Sequence, residues 1–523
     1  MATEIRIKTL ADITRVHARS QGSASALVFE GRETTFAELD RHASQVANGL
    51  IAAGLKPQTR VAYLDKNSDR FFEVLFGATK ANDVLVAVNW RLAPPEVAYV
   101  VNDAMAEVLF VGQEFFPVVE KILGDLKTVK QVIALDAAHD GWSSYESWRD
   151  SQPDTDPNLP IAATDVAIQM YTSGTTGHPK GAQLTNENLL TLLPTATREW
   201  GRPWTAGDVN LVCMPLFHIA GSGWGIVGLF AGTRTIVLRD IIPPEILRAI
   251  PEYQVTKAIF VPAVLLFLTQ TPGVNETDFS SLDLIAYGAS PIPLDLLRAS
   301  MATFKCDFAQ VYGLTETTGA ITYLPPEDHD PDGNQRMRSC GRAMGGVEIR
   351  IVDAEGNDLP AGEVGEIIVK TKQNMKGYWN LPDATASALR GDWFYTGDAG
   401  YLDADGYVYI HDRVKDMIVS GGENVYPAEV ESALFGHPAI ADVAVIGVPD
   451  DRWGESVKAI VVKNPGVEAD PAEIIAYARE RIAGFKVPKS VDFADALPRN
   501  PSGKILKREL REPYWAGRER QVN

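Results

Sequence analysis

The sequence predicts an α/β protein in which a large N-terminal domain of α/β sheets with a β-rich subdomain precedes a small α+β C-terminal domain. Three observations predict it. Over the first few hundred residues, helical and short extended patterns alternate, as they do where helices cross between the strands of largely parallel sheets. From about Val347 the pattern turns to short strands, in VEIRIVDAEGNDLP, GEVGEIIVKT and GYLDADGYVYIHDR, with Glu-Gly, Ala-Gly and Asp-Gly at the bends, which suggests an antiparallel region. After Asp412 a helix, two strands and a second helix follow in a stretch the size of a compact domain. The expected division is 1–411 and 412–523, and the length of 523 residues agrees with about three structural units of roughly 150 residues each.

Taken in order, Thr35 and Glu38 stand at capping-box spacing, Leu39, Val46, Ala47, Leu50 and Ile51 repeat at helical spacing, and Gly54 can end that helix. RVAYL from Arg60 reads as a strand, SDRFFEVLFGATKA as a second helix and VLVAVN as a buried strand. The stretch around 140–160, HDGWSSYESWRDSQPDTDPNLP, reads as a polar loop. The longest apolar runs, IFVPAVLLFLT from Ile259 and WGIVGLFAG from Trp224, fall short of the roughly 18 residues of a membrane span and read as buried core elements, leaving peripheral membrane contact open. In the last domain PAEVESALFG and DPAEIIAYARERIAG are helices, and ADVAVIGVP and VKAIVVKN are strands.

A formal net charge of -19 disfavours nucleic acid as a partner, because the summed field repels a polyanion. One basic island, Arg499, Lys504, Lys507, Arg508 and Arg511, interrupts the acidic chain and by charge alone is a solvated helix face. Cys213, Cys306 and Cys340 are widely separated, which suggests neither disulfides nor a thiolate zinc site and fits a reducing cytoplasm. Glu4, Arg6 and Lys8 interrupt the run that an export signal would need.

The strongest local signal is YTSGTTGHPKG, Tyr171 to Gly181. Its glycines Gly174, Gly177 and Gly181 permit tight turns, the hydroxyls of Thr172, Ser173, Thr175 and Thr176 can donate to phosphate oxygens, and Lys180 adds positive charge. It departs from the Walker loop, because Pro179 precedes the lysine and Gly181 follows it. Alone, such a loop is as good a solvated hairpin turn as a phosphate cradle.

Six further segments change that balance: MPLFHIAG at 214–221, YGASPIP at 287–293, VYGLTETTG at 311–319, WFYTGDAG at 393–400, DRVKDMIVSGGENVYPAEVE at 412–431 and PRNPSGKILKREL at 498–510. With the loop they stand in the order of the acyl-adenylate-forming superfamily, and from about Ala26 to Leu510 the chain resembles its acyl-CoA synthetase branch. The resemblance implies that Thr172 to Gly177 and Lys180 cradle the phosphates of ATP, that Thr315 joins them, and that Glu316 holds Mg²⁺. It implies that Gly288, Ala289 and Ser290 face the adenine, that Tyr312, followed by Gly313, stacks on the purine, and that Asp398 and Arg413 hold the ribose. Lys504 becomes the adenylation lysine and Lys415 the hinge about which the small domain turns. Gly421 and Gly422 would line a pantetheine tunnel, while Trp453, Phe485, Lys486 and Lys489 would receive the nucleotide end of coenzyme A.

His218 among Phe217 and Ile219 reads on its own as a satisfied core histidine rather than a general base; the resemblance sets it with Trp224 and Tyr287 around the acid pocket. That pocket shows no evident Arg or Lys for a second carboxylate. The implied reaction activates a carboxylic acid as acyl-AMP with release of pyrophosphate, then transfers the acyl group to coenzyme A. A medium- or long-chain fatty acid is the first expectation and an aryl acid the second. Loading of a carrier protein, or a non-catalytic nucleotide-binding scaffold, are rival readings. No carrier domain follows Leu510 in this sequence, which leans toward free coenzyme A, and a homodimer is left open.

Overall fold

The computed structural model describes residues 7–172, 179–290, 292–413, 416–420, 423–450, 452–499 and 505–516. Two large sheets form the body. The first has nine strands, with Ser25–Phe29, Arg234–Val237, Val209–Val212, Lys257–Phe260, Leu284–Gly288 and Asp307–Leu314 running parallel side by side and antiparallel strands at both edges. The second has eight, its parallel centre being Val166–Thr172, Val84–Ala87, Arg60–Leu64, Val108–Val111 and Gln131–Ala134. Their near-continuous apolar sequences suit strands covered on both faces.

Between the sheets lies one core that draws on both, including Phe71, Phe72, Phe76, Ile168, Leu211, Ile236 and Leu284. The expected capping box is made: Glu38 N donates to Thr35 Oγ1 at 3.2 Å and Thr35 N to Glu38 Oε2 at 2.9 Å, opening the Phe36–Ala52 helix. Gly54, at φ +82°, stands just past its end. Ile51 departs from expectation, because in the final turn it rotates off the packed stripe and is 39% exposed.

The stretch around 140–160 is also more ordered than its polarity suggests. It contains the Tyr145–Asp150 helix, whose Tyr145 and Trp148 are buried and whose Tyr145 hydroxyl donates to buried Glu73 at 2.6 Å. The apolar runs resolve into the Lys257–Phe260 strand and the Ile219–Ala231 helix, buried as expected, and the Pro262–Gln270 helix, which buries Val264, Leu265 and Leu268 but leaves Phe267 53% exposed. No described helix is long and apolar enough to cross a membrane.

The antiparallel region comprises Glu348–Val352, Gly365–Lys370, Trp393–Leu402 and Val408–Arg413. Beyond it a five-stranded sheet, with Ile440–Asp450 and Gly454–Lys463 at its heart, carries the Pro427–Phe435, Pro471–Arg479 and Lys507–Trp515 helices and a core of its own. The Pro471–Arg479 helix stops short of the expected Gly484.

Candidate active site

Several of the residues singled out in sequence stand at the carboxyl ends of parallel strands, where main-chain groups leave the ladder and side chains can converge. Thr172 ends Val166–Thr172, Phe217 and His218 follow Val209–Val212, Gly288 ends Leu284–Gly288, and Glu316 follows Asp307–Leu314. Glu316 is 8% exposed, and its Oε1 accepts hydrogen bonds from Thr172 Oγ1 at 3.2 Å and from the Tyr378 hydroxyl at 2.9 Å. Tyr378 reaches it because Gly377–Tyr378 pairs with Lys180–Thr185, the strand that leaves the glycine-rich loop. That pairing also sets Lys180 Nζ 5.1 Å from the Tyr378 ring centre. The loop and the acidic turn, 144 residues apart in sequence, are thus joined by a hydrogen bond.

A second pair lies beside this one. The Tyr312 hydroxyl donates to Asp398 Oδ2 at 2.7 Å, and Asp398 is the cross-strand partner of Arg413. Gly288 must be glycine, since a Cβ there would come within 2.1 Å of the Val311 carbonyl oxygen. The next residue, Ala289, holds φ +67°, a conformation costly for any residue with a side chain, and with Ser290 it is exposed. This leaves an open peptide edge that a flat base can approach. Gly313 and Thr315 are partly exposed beside it.

The expected acid end is built from different material. His218 caps the Ile219–Ala231 helix and keeps partial exposure, as do Ile219, Ala220 and Gly223. Across from Ile219 stands Gly319, at φ +106°, where a Cβ would touch Ile219 Cγ1 at 3.6 Å and Leu192 Cδ2 at 3.5 Å. Phe217 packs edge-on to Trp90 with centroids 6.2 Å apart, and the Arg91 guanidinium lies over Trp90 at 4.6 Å and Phe217 at 5.8 Å. Burial, helped by the charge of Arg91, pushes the His218 imidazole down to about 4, so the ring is neutral near pH 7.

Two predicted pocket residues are enclosed rather than open. Tyr287 is fully buried with its hydroxyl 2.9 Å from His329 Nε2, and Trp224 is buried between Trp200 and Trp204. The expectation of no cation near the pocket needs amending, because Arg91 comes to the wall from the second sheet, which no local spacing announces.

In the C-terminal region Trp453 and Phe485 are exposed, at 41% and 40%, with Arg452 lying 4.6 Å over the Trp453 ring. Lys486 is engaged by Glu429, Nζ to Oε1 2.6 Å, which leaves exposed Lys489 and Arg452 as the nearer cations to solvent. Ser173, Gly174, Thr175, Thr176, Gly177, Lys415, Gly421, Gly422 and Lys504 lie outside the described residues, as does the side chain of Arg413. The two flanks of the Lys504 segment, Arg499 and Ile505, pair as an isolated antiparallel bridge.

Residues 14–379 match the AMP-binding enzyme family, and residues 429–504 match the AMP-binding enzyme C-terminal domain. The chain belongs to the AMP-binding enzyme family. It is an AMP-forming acid–thiol ligase with the adenylate-forming fold of a large N-terminal and a small C-terminal domain. Over 522 residues it is 42% identical to the fatty acid–[acyl-carrier-protein] ligase ScoC of Streptomyces coeruleorubidus, covering 99% of each chain. It is 39% identical to a feruloyl-CoA synthase of Amycolatopsis sp, covering 95% of this chain and 97% of the relative. The solved fatty acyl CoA synthetase of Mycobacterium tuberculosis superposes with a TM-score of 0.78 at 35% identity, covering 98% of this chain and 99% of that one.

Proposed function

We propose that this member of the family activates a medium- or long-chain fatty acid as acyl-AMP and then forms its coenzyme A thioester, in the cytoplasm. The observation that carries the reading is the meeting at Glu316, where a buried carboxylate, Thr172 at the start of the glycine-rich segment and the Tyr378 hydroxyl converge. A triphosphate bound to the loop would lie against that carboxylate. The donor set fits Mg²⁺, which is commonly held by one or two carboxylates together with substrate phosphates, so Glu316 would hold it and the ion would supply charge neutralisation there. Among the described residues no cluster of three or more His, Cys, Asp or Glu side chains competes for that role.

In the first half-reaction a carboxylate oxygen of the acid attacks the α-phosphorus and the bond to pyrophosphate breaks. Thr172, Ser173, Gly174, Thr175, Thr176, Gly177 and Lys180 hold the phosphates in line, Thr315 assists, and Lys504 neutralises the charge that builds on the α-phosphate. Asp398, fixed by Tyr312, and Arg413 take the ribose hydroxyls, while Gly288, Ala289 and Ser290 border the base. In the second, the coenzyme A sulfur attacks the acyl carbon, the bond to AMP breaks, and the thiol proton leaves to solvent. No protein nucleophile is needed. Division at 411/412, with turning about Lys415, would let one site serve both steps, bringing Gly421 and Gly422 to the pantetheine and Trp453 and Phe485 to its nucleotide.

A second reading, transfer to a carrier-protein phosphopantetheine, is favoured by the 42% identity to a ligase of that kind. Exchange of labelled pyrophosphate into ATP, driven by saturated acids of graded length and by benzoate and cinnamate, tests the acid. Thioester formation with free coenzyme A or with a phosphopantetheinylated carrier protein tests the acceptor. Octanoate or longer acids with free coenzyme A are expected to be best. Preference for the aromatic acids, or thioester on the carrier alone, overturns the corresponding half, and exchange with no acid overturns the whole.

A further inference from the structure

Asn67 belongs to the turn after the Arg60–Leu64 strand, in the second sheet, yet among the described residues the hydrogen bonds of its side chain all reach the first. Its Nδ2 lies 3.3 Å from the Cys213 carbonyl oxygen and 3.1 Å from those of Met214 and Leu238, and its Oδ1 accepts from Leu216 N at 2.9 Å. The residue is 3% exposed. These partners lie where Val209–Val212 and Arg234–Val237 have just ended, so their main-chain groups have left the ladder and, once buried, need another partner. One amide answers them.

The segment so held, Cys213 to Leu216, runs straight into Phe217 and His218. His218 is anchored on its far side by the helix it caps, its carbonyl accepting from Gly221 N and Ser222 N, each at 3.0 Å. Among the described residues, every side-chain hydrogen bond to the main chain of 213–217 comes from Asn67. Its neighbour Lys66 strengthens the tie between the sheets, with Nζ 2.9 Å from Glu114 and 3.0 Å from Asp240.

We infer that Asn67 is a positioning residue for the acid pocket: it touches no reactant, but fixes the loop that presents Phe217 and His218 to the substrate acid. The inference rests on the adenylating function proposed above. An aspartate has the same shape and can still accept from Leu216, but it turns an anionic oxygen toward three carbonyls and cannot donate to them. The loop then shifts while the nucleotide contacts at Glu316 and Asp398, which Asn67 does not touch, stay in place.

Pyrophosphate exchange by Asn67→Asp and Asn67→Ser, with the acid and ATP titrated separately, tests this. Displacement of reacting groups by about an ångström costs up to about 100-fold, so kcat/KM for the acid is expected to fall by about that factor in Asn67→Asp, with KM for ATP within about twofold of wild type. The smaller, neutral Asn67→Ser covers the case in which the aspartate does not fold, and a fall of about 10-fold in the same sense is expected. Ser68→Ala, in the same turn, loses only a bond to Tyr63 and controls for general loosening. An unmoved acid response, or acid and ATP constants that change in proportion as a merely destabilised fold would make them, overturns the role of Asn67 alone. A wild type that adenylates no acid overturns the proposed function and this inference with it.

Discussion

The nucleotide end and the acid end of the site are made in opposite ways. At the nucleotide end polar groups are tied to one another, Thr172 and Tyr378 to Glu316, and Tyr312 to Asp398. At the expected acid end the wall is aromatic and aliphatic with Arg91 beside it, and among the described residues the buried Nε2 of His218 has no hydrogen-bond partner. Charged phosphates and a ribose present a fixed pattern of acceptors and donors, so their site is organised in advance by hydrogen bonds whose removal is costly. A hydrophobic acid asks only for area and shape, which packing supplies with looser chemical demands. The difference teaches that, on the proposed assignment, specificity for the nucleotide would reside in side chains and specificity for the acid in where loops such as 213–218 are held.

The largest expected effect breaks the nucleotide end from outside it. Lys504→Ala removes a cation from the developing charge on the α-phosphate, and loss of such a stabilising group costs about 10²–10³ in rate. Acid-dependent pyrophosphate exchange is expected to fall by that factor, while a supplied acyl-adenylate is still converted to thioester by coenzyme A. Equal loss of both steps would contradict the assignment.

A smaller effect separates the two ends directly. Tyr312→Phe removes a hydrogen bond to the Asp398 carboxylate, a contact to a charged group worth about 1.5–3 kcal/mol, roughly 10-fold or more in affinity. Steady-state titrations are expected to show KM for ATP raised by about that factor and KM for the acid unchanged. A rise in both would mean that the two ends are coupled through the Asp307–Leu314 strand.

The two ends also differed in how much of them could be read from sequence. Tyr312, Glu316, Asp398 and Lys180 stand in short segments whose residue types match a chemical need, and the structure brings the first three into bonded pairs with each other or with neighbouring motifs. Tyr378 and Asn67 gave no such signal. Each acts through a contact between distant parts of the chain, Tyr378 to Glu316 and Asn67 to Cys213, and nothing local in KGYWN or DKNSD marks it. Arg91 was missed for the same reason, since its place at the acid wall depends on how the two sheets meet. In the fold, alternation and capping were legible because they arise within one element. The helix at Tyr145–Asp150 was not, because its surface composition is polar and its two aromatics are recruited by Glu73 and the core.

The smallest effect sharpens the comparison at the acid end through pH. His218 and His329 are both pushed down to about 4, chiefly by burial, from an ordinary value near 6.5. The folded state therefore holds neutral rings while the unfolded chain takes up protons first, so their contribution to stability is fully present above about 6.5 and is lost as pH falls from there toward about 4. Burial holds the Asp65 and Asp83 carboxyls up to about 7 and about 8, and these act in the opposite sense, so variants are compared with the parent at each pH. Urea unfolding midpoints of His218→Gln are expected to decline less steeply than the parent's across that window. His329→Gln should behave alike, although it also loses the bond to Tyr287 and starts from a lower midpoint. A parental slope in His218→Gln would mean that the ring takes up its proton as readily in the folded protein as in the unfolded chain, adding a second cation beside Arg91 as the pH falls.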